Sequence, residues 1–114
     1  MGLDAVVYKK ASPDAESLPA IVKRLGNASM IAWLANEILS FNPKGSILIE
    51  NVLYSGSHSG DAISLELLDT LQDEVDRISL EADKRKIEEL RTFLQDMTEL
   101  IQAAKEQQTP IIFV

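Results

Sequence analysis

A Ser- and Gly-rich segment, residues 53–63 with the sequence LYSGSHSGDAI, carries the side chains of this chain that are best suited to chemistry. It contains the only histidine of the chain, His58. Such a loop can gather backbone N–H groups, hydroxyls, an imidazole and a carboxylate around one point. We expect the loop to join an apolar strand to an amphipathic helix, and the dipole at the N-terminus of that helix favours anions there. We therefore predict a ligand-binding site made of Ser55, Ser57, His58, Ser59 and Asp61.

The same segment does not match a known catalytic motif. Residues 56–60, GSHSG, have the outline of the G-x-S-x-G turn of hydrolases, but His58 occupies the position of the nucleophilic serine. A Ser-His-acid mechanism also needs a separate histidine to accept the serine proton, and the chain has only one. We predict no catalytic residue. A small-molecule or anion-binding protein, or an enzyme in which His58 shuttles a proton, is kept as an alternative.

The sequence has few of the His and Cys ligands that zinc prefers, and it lacks the specific nucleotide-binding motifs. There is no cysteine, and zinc usually takes at least three protein ligands, which His58 and Asp61 alone do not supply. Neither a Walker lysine motif nor a G-x-G-x-x-G pattern is present. We therefore predict no metal and no cofactor. A plainer interpretation of the loop also stays open, in which its serines and Asp61 only satisfy backbone donors and cap the next helix.

Charge and hydropathy restrict the class of partner. The 114 residues carry a net charge of −7, and residues 64–114 hold 12 acidic and six basic side chains. This net negative charge repels nucleic acid and favours a cationic protein partner. The N-terminus lacks the charge order of a signal peptide, and no apolar span approaches transmembrane length. We predict a cytoplasmic protein that binds neither nucleic acid nor membrane.

The first half of the chain predicts two strands and two helices. Residues 3–8, LDAVVY, contain two β-branched residues and one aromatic residue, show no helical spacing and predict a strand. Residues 20–25 are expected to form a short helix capped by Ser17, and a second helix is expected to start at the cap Asn27. That second helix has an apolar stripe formed by Ile31, Leu34, Ile38 and Phe41. Residues 47–54, ILIENVLY, predict the next strand.

The second half predicts two helices and a final strand. Ser64 is expected to cap a helix whose inner face is formed by Leu68, Leu71, Val75 and Ile78. A longer helix over residues 80–107, kinked or broken near residues 79–83, carries apolar residues at intervals of three and four. Residues 111–114, IIFV, predict a third strand. We therefore predict one α+β domain over residues 1–114, with a three-stranded sheet covered by helices in the order β-αα-β-αα-β and an undecided strand topology.

Four segments together resemble a group of small uncharacterised bacterial proteins: MGLDAVVYKK, GNASMIAWL, VLYSGSHSGDAI and PIIFV. Some proteins with a comparable Ser-Gly loop are similar to immunity proteins of polymorphic toxin systems. The group supplies no catalytic residues that could be placed on this chain. The resemblance implies a non-catalytic binding protein, an immunity-like inhibitor of a bacterial toxin. A structural homodimer that uses a strand edge or the long helix is a further alternative.

Overall fold

Three helices and four strands make up the part of the chain that the structure, a computed structural model, describes: residues 2–9, 19–41 and 61–113. The predicted α+β class is confirmed. The strands are β1 (Gly2–Tyr8), β2 (Pro19–Asn27), β3 (Ala62–Ile63) and β4 (Ile111–Phe113). The helices are α1 (Ala28–Phe41), α2 (Leu68–Arg85) and α3 (Glu88–Gln107), and a short 3-10 helix (Leu65–Leu67) precedes α2.

The strands form one antiparallel sheet in the order β2-β1-β4-β3. The predicted three-stranded sheet and the order β-αα-β-αα-β are therefore wrong in detail, since the described residues alone contain four strands. The two segments with the strongest strand character, at either end of the chain, pair at the centre of the sheet, where Val6 lies opposite Ile112. The predicted strand at residues 47–54 lies outside the described residues.

The segment predicted as a short helix, residues 20–25, is part of β2. Ile21, Lys23 and Leu25 are partly or fully buried, whereas Val22 and Arg24 between them are exposed. This period of two is the pattern of a strand with one face on the core. Because Lys23 is charged, the inward-facing positions of β2 are not all apolar. The alternation of apolar and polar residues that is typical of a strand is therefore absent from the sequence. Pairing with β1 over most of its length then stabilises the extended conformation.

The hydrophobic core lies between the sheet and the helices. The sheet contributes Ala5 and Val7 from β1 and Ile111 and Phe113 from β4, all at most 1% exposed. The predicted inner face of α2 is confirmed, because all four of its members are buried: Leu68, Leu71, Val75 and Ile78. The apolar repeat of α3 is buried as well, at Leu90, Leu94, Met97, Ile101 and Ala104. Each large aliphatic side chain in this core contributes on the order of 1.5–3 kcal/mol through its removal from water.

The start of α1 confirms the predicted cap. The side-chain oxygen Oδ1 of Asn27 accepts a hydrogen bond of 2.9 Å from the backbone N–H of Met30. This contact satisfies one of the amide groups that the first helical turn leaves without a partner. The predicted stripe at Ile31, Leu34 and Ile38 is buried, which holds the helix against the core. The side chain of Phe41 lies outside the described part of the chain.

The long helix expected over residues 80–107 is two helices, and the break lies at residues 86 and 87 rather than at 79–83. Lys86 adopts the left-handed conformation, with φ 55° and ψ 44°. The N–H of Ile87 donates to the carbonyl of Ala82 over 3.1 Å, and the N–H of Lys86 donates to that of Asp83 over 3.3 Å. This is the pair of bonds that closes a helix in a Schellman motif. The chain then reverses, and α3 packs against α2 as a helical hairpin.

Candidate binding surfaces

The Ser-Gly loop predicted as the site lies almost entirely outside the described residues. Ser55, Ser57, His58 and Ser59 fall outside them, so their role stays a prediction. Asp61 is described and is exposed. Its backbone carbonyl accepts a hydrogen bond of 2.8 Å from the N–H of Phe113. This bond ties the exit of the loop to β4 inside the sheet.

The connection from the loop to the following helix differs from the prediction. The two residues of β3 and the 3-10 helix stand between Asp61 and α2, so the loop does not lead directly into a helix N-terminus. Ser64 was expected to cap that helix through its hydroxyl, but its side chain makes no capping hydrogen bond. Its backbone carbonyl instead accepts from the N–H of Leu67 over 3.1 Å. Six residues, 62–67, therefore separate Asp61 from the first residue of α2.

The outer face of α2 is an acidic stripe, which we define as Asp69, Asp73 and Asp76. All three side chains are exposed and, at intervals of four and three, lie on one side of the helix opposite its buried face. Asp69 binds Lys105 of α3, with 2.7 Å between Oδ1 and Nζ. Asp76 accepts a hydrogen bond of 2.8 Å from Gln72, which leaves its charge in place. Asp73 and Asp76 form no ion pair with any of the described residues.

A polar groove of about 410 Å³ lies between the C-terminal half of α2 and the facing part of α3. Hydroxyl and amide side chains line it, including those of Ser79, Gln95 and Thr98. Arg91 closes one end: its Nε lies 2.9 Å from Oδ1 of Asp83, and its Nη1 lies 3.3 Å from Oε1 of Glu88. Among the described residues that line the groove, the one cationic side chain is therefore already paired, and the lining offers hydrogen bonds and excess negative charge to a partner.

A second hollow, of about 480 Å³, lies where the start of α1 approaches the start of α3. We call it the Trp33 pocket; it is lined by Asn27, Ser29, Met30, Trp33 and Glu89. Trp33 is expected from the sequence to pack beside Leu34, but it stays 38% exposed. One signal could have revealed this pocket: Trp33 does not belong to the 31, 34, 38 spacing of the buried stripe, so it must project from the side of the helix.

Lys23 on β2 forms a charged cluster with two carboxylates of α3. Its Nζ lies 3.0 Å from Oε2 of Glu99 and 3.5 Å from Oδ1 of Asp96. The hydrogen bond to Glu99, with the charge of Asp96 adding to it, raises the pKa of Lys23 above its ordinary value of 10.5, although partial desolvation opposes the rise. The amine is therefore protonated at neutral pH and is not available as a nucleophile. The cluster joins sheet to helix.

The described residues contain no group of three or more His, Asp or Glu side chains placed to hold a metal ion. Within the same part of the chain, no helix has the length and apolar content needed to cross a membrane. Comparison of the chain with protein-family models, curated protein sequences and solved structures found no match. Arguments about function therefore rest on the surfaces described above.

Proposed function

We propose that this chain is a non-catalytic binding protein, an immunity-like inhibitor that masks a cationic bacterial toxin. The acidic stripe on α2 is the observation that supports it. Its carboxylates are presented in a row on a helix whose opposite face is buried in the core, so the charges are held at fixed spacing. Two of the three, Asp73 and Asp76, form no ion pair with any described residue, and both side chains are exposed to a positively charged surface.

Complementary charge acts mainly on the rate of encounter. A row of like charges at fixed spacing steers an oppositely charged protein toward it and raises the association rate constant, most strongly at low salt. The polar groove between α2 and α3 adds hydrogen-bonding side chains on the same helical hairpin. A toxin whose active surface is basic, such as one that acts on nucleic acid, fits this surface.

Co-expression is the first test. The chain is produced together with the toxin encoded by the neighbouring gene, and cell survival is measured. We expect survival with the wild-type chain and loss of survival when the chain is omitted. Unchanged killing in the presence of the folded chain would contradict the proposed function.

The second test places the interaction on α2. The double variant Asp73→Asn/Asp76→Asn should lower the association rate constant for the purified toxin by roughly tenfold at low salt, and by less at high salt. Asp4→Asn/Glu37→Gln is the matched control, because it changes the net charge equally at positions on β1 and α1 rather than on α2. Equal rates for the two double variants would mean that net charge, and not the stripe, governs the encounter.

A further inference from the structure

We infer that the Trp33 pocket is a docking site for an arginine side chain of the partner protein. This inference rests on the proposed function, which supplies a cationic protein as the partner, and it names a second point of contact away from α2. The pocket brings together an exposed indole, a thioether and a carboxylate in about 480 Å³.

The first support is the exposure of Trp33. It is the only tryptophan of the chain, and it lies outside the buried stripe of α1 while Ile31, Leu34 and Ile38 fill the core. Tryptophan is the best aromatic partner of a cation, and it is enriched at the residues that dominate protein interfaces. Met30 beside it is half-buried and supplies an adaptable apolar wall.

The second support is the charge of Glu89, which is independent of the indole. Glu88 and Glu89 are neighbours in the first turn of α3, and both are exposed. Glu88 binds Arg91 at 3.3 Å, but Glu89 forms no ion pair with any of the described residues. A carboxylate beside an indole is suited to a guanidinium, which can donate two parallel hydrogen bonds and stack on the ring.

A guanidinium fits better than an anion or an ammonium ion. The N-termini of α1 and α3 both lie at the pocket and each carries about half a positive charge. At the N-terminus of α1, the backbone N–H of Met30 already donates to Asn27. At the N-terminus of α3, the full negative charge of Glu89 outweighs the partial positive charge of the helix. An ammonium group is compact and strongly hydrated, whereas a guanidinium is planar and weakly hydrated, so the guanidinium loses less by leaving water for an indole face.

The experiment uses the tryptophan of the pocket as its own reporter. N-acetyl-arginine amide is titrated to about 50 mM, a range that covers the millimolar dissociation constants of single side-chain fragments, while the emission of Trp33 and its indole N–H resonance are followed. The citrulline analogue has the same shape without the charge. We expect a saturable shift with arginine, a weaker one with the lysine analogue and none with citrulline.

Two variants test whether Glu89 is the carboxylate that binds the arginine probe. Glu89→Gln should weaken binding of the arginine probe by about two- to fivefold. Glu88→Gln is the matched control, since it removes the same charge from the same helical turn, and it should leave binding within about twofold. The absence of a saturable shift, an equal response to citrulline, or equal effects of the two variants would overturn the inference.

Failure of this inference can be told apart from failure of the proposed function. If the chain protects cells and Asp73→Asn/Asp76→Asn slows its association with the toxin, but the arginine probe has no effect, the pocket alone is refuted. If the probe binds and depends on Glu89 while the chain gives no protection, the arginine site stands and the toxin assignment falls.

Discussion

The side-chain nitrogen of Lys23 on β2 lies 3.0 Å from a carboxylate oxygen of Glu99 on α3. The two residues are far apart in the chain, and their contact joins an outer strand of the described sheet to the helix that covers it. Asp96, one turn earlier on α3, approaches the same nitrogen at 3.5 Å. A lysine on the inner face of a strand is thus accommodated because the helix above it supplies two acceptors.

This contact predicts a specific dependence of stability on pH. The pKa of Lys23 is raised in the folded state, so protonated Lys23 stabilises the fold below its unfolded pKa of 10.5, and this contribution is lost as the pH rises through the folded pKa. Lys23→Met lacks the titrating group. The free energy of unfolding of the wild type should therefore be constant relative to that of the variant below about pH 9.5, and should fall relative to it as the pH rises from about 10 upward.

Urea unfolding at several pH values measures this difference. Lys84→Met is the control, because Lys84 is 73% exposed and lies 3.7 Å from Glu81, an arrangement that contributes little. The interpretation of the cluster is wrong if the two lysine variants show the same pH dependence relative to the wild type.

The cap of α1 predicts a loss of stability on truncation. Asn27→Ala removes the acceptor of the 2.9 Å bond from Met30 and should lower the free energy of unfolding by about 1 kcal/mol. Asn36→Ala, at an exposed position within the same helix, should be neutral or raise stability by up to about 0.7 kcal/mol. Denaturant unfolding of both variants tests the cap, and a similar effect of the two substitutions would exclude it.

Local signals could be read from the sequence, and non-local ones could not. The cap at Asn27 and the stripes of α1, α2 and α3 depend on residues within a few positions of one another, and the structure confirms them. The strand β2 was misassigned because its inner face contains Lys23, whose acceptors Asp96 and Glu99 are about 75 residues away. The break between α2 and α3 was misplaced because Lys86, and not a glycine or proline, takes the left-handed conformation there.

The same difference between local and non-local sequence signals applies to the candidate surfaces. The periodicity of α2 alone places Asp69, Asp73 and Asp76 on one outer face, so that stripe was accessible from the sequence. The Trp33 pocket was not, because Glu89 reaches it only through the packing of α3 against the start of α1. The loop residues from Ser55 to Ser59 lie outside the described part of the chain and stay a prediction.

The bend at the end of β2 predicts that Gly26 is required. Gly26 has a φ of 138°, a conformation that side chains disfavour, and a Cβ there would lie 2.8 Å from Cγ of Met30. The register with β1 shifts at the same place, where Leu3 pairs with Gly26 and Asp4 with Arg24. Gly26→Ala should therefore lower the free energy of unfolding by about 1–3 kcal/mol.

A double-mutant cycle separates the two causes. The background Met30→Ala removes the 2.8 Å contact with Cγ and keeps the 3.0 Å contact with Cβ. Gly26→Ala should therefore cost less there, while the cost of the backbone conformation remains. Thermal unfolding of the four proteins provides the comparison. Equal costs in both backgrounds would show that the Met30 side chain beyond Cβ moves aside and adds nothing to the requirement for glycine.

The turn between α2 and α3 predicts a stabilising substitution. Lys86 ends α2 with φ 55°, a conformation that costs a residue with a Cβ about 1–2 kcal/mol and costs glycine little. Lys86 is exposed and forms no ion pair with the described residues, so Lys86→Gly removes no such contact. Because glycine also gains entropy in the unfolded chain, the net increase in the free energy of unfolding should be about 0.5–1 kcal/mol.

The control is Lys84→Gly, which lies within the helix and should instead lower the free energy of unfolding by about 1 kcal/mol. Urea unfolding of both variants decides the matter: if Lys86→Gly destabilises the protein as much as Lys84→Gly does, Lys86 is helical in solution and α2 continues through the turn.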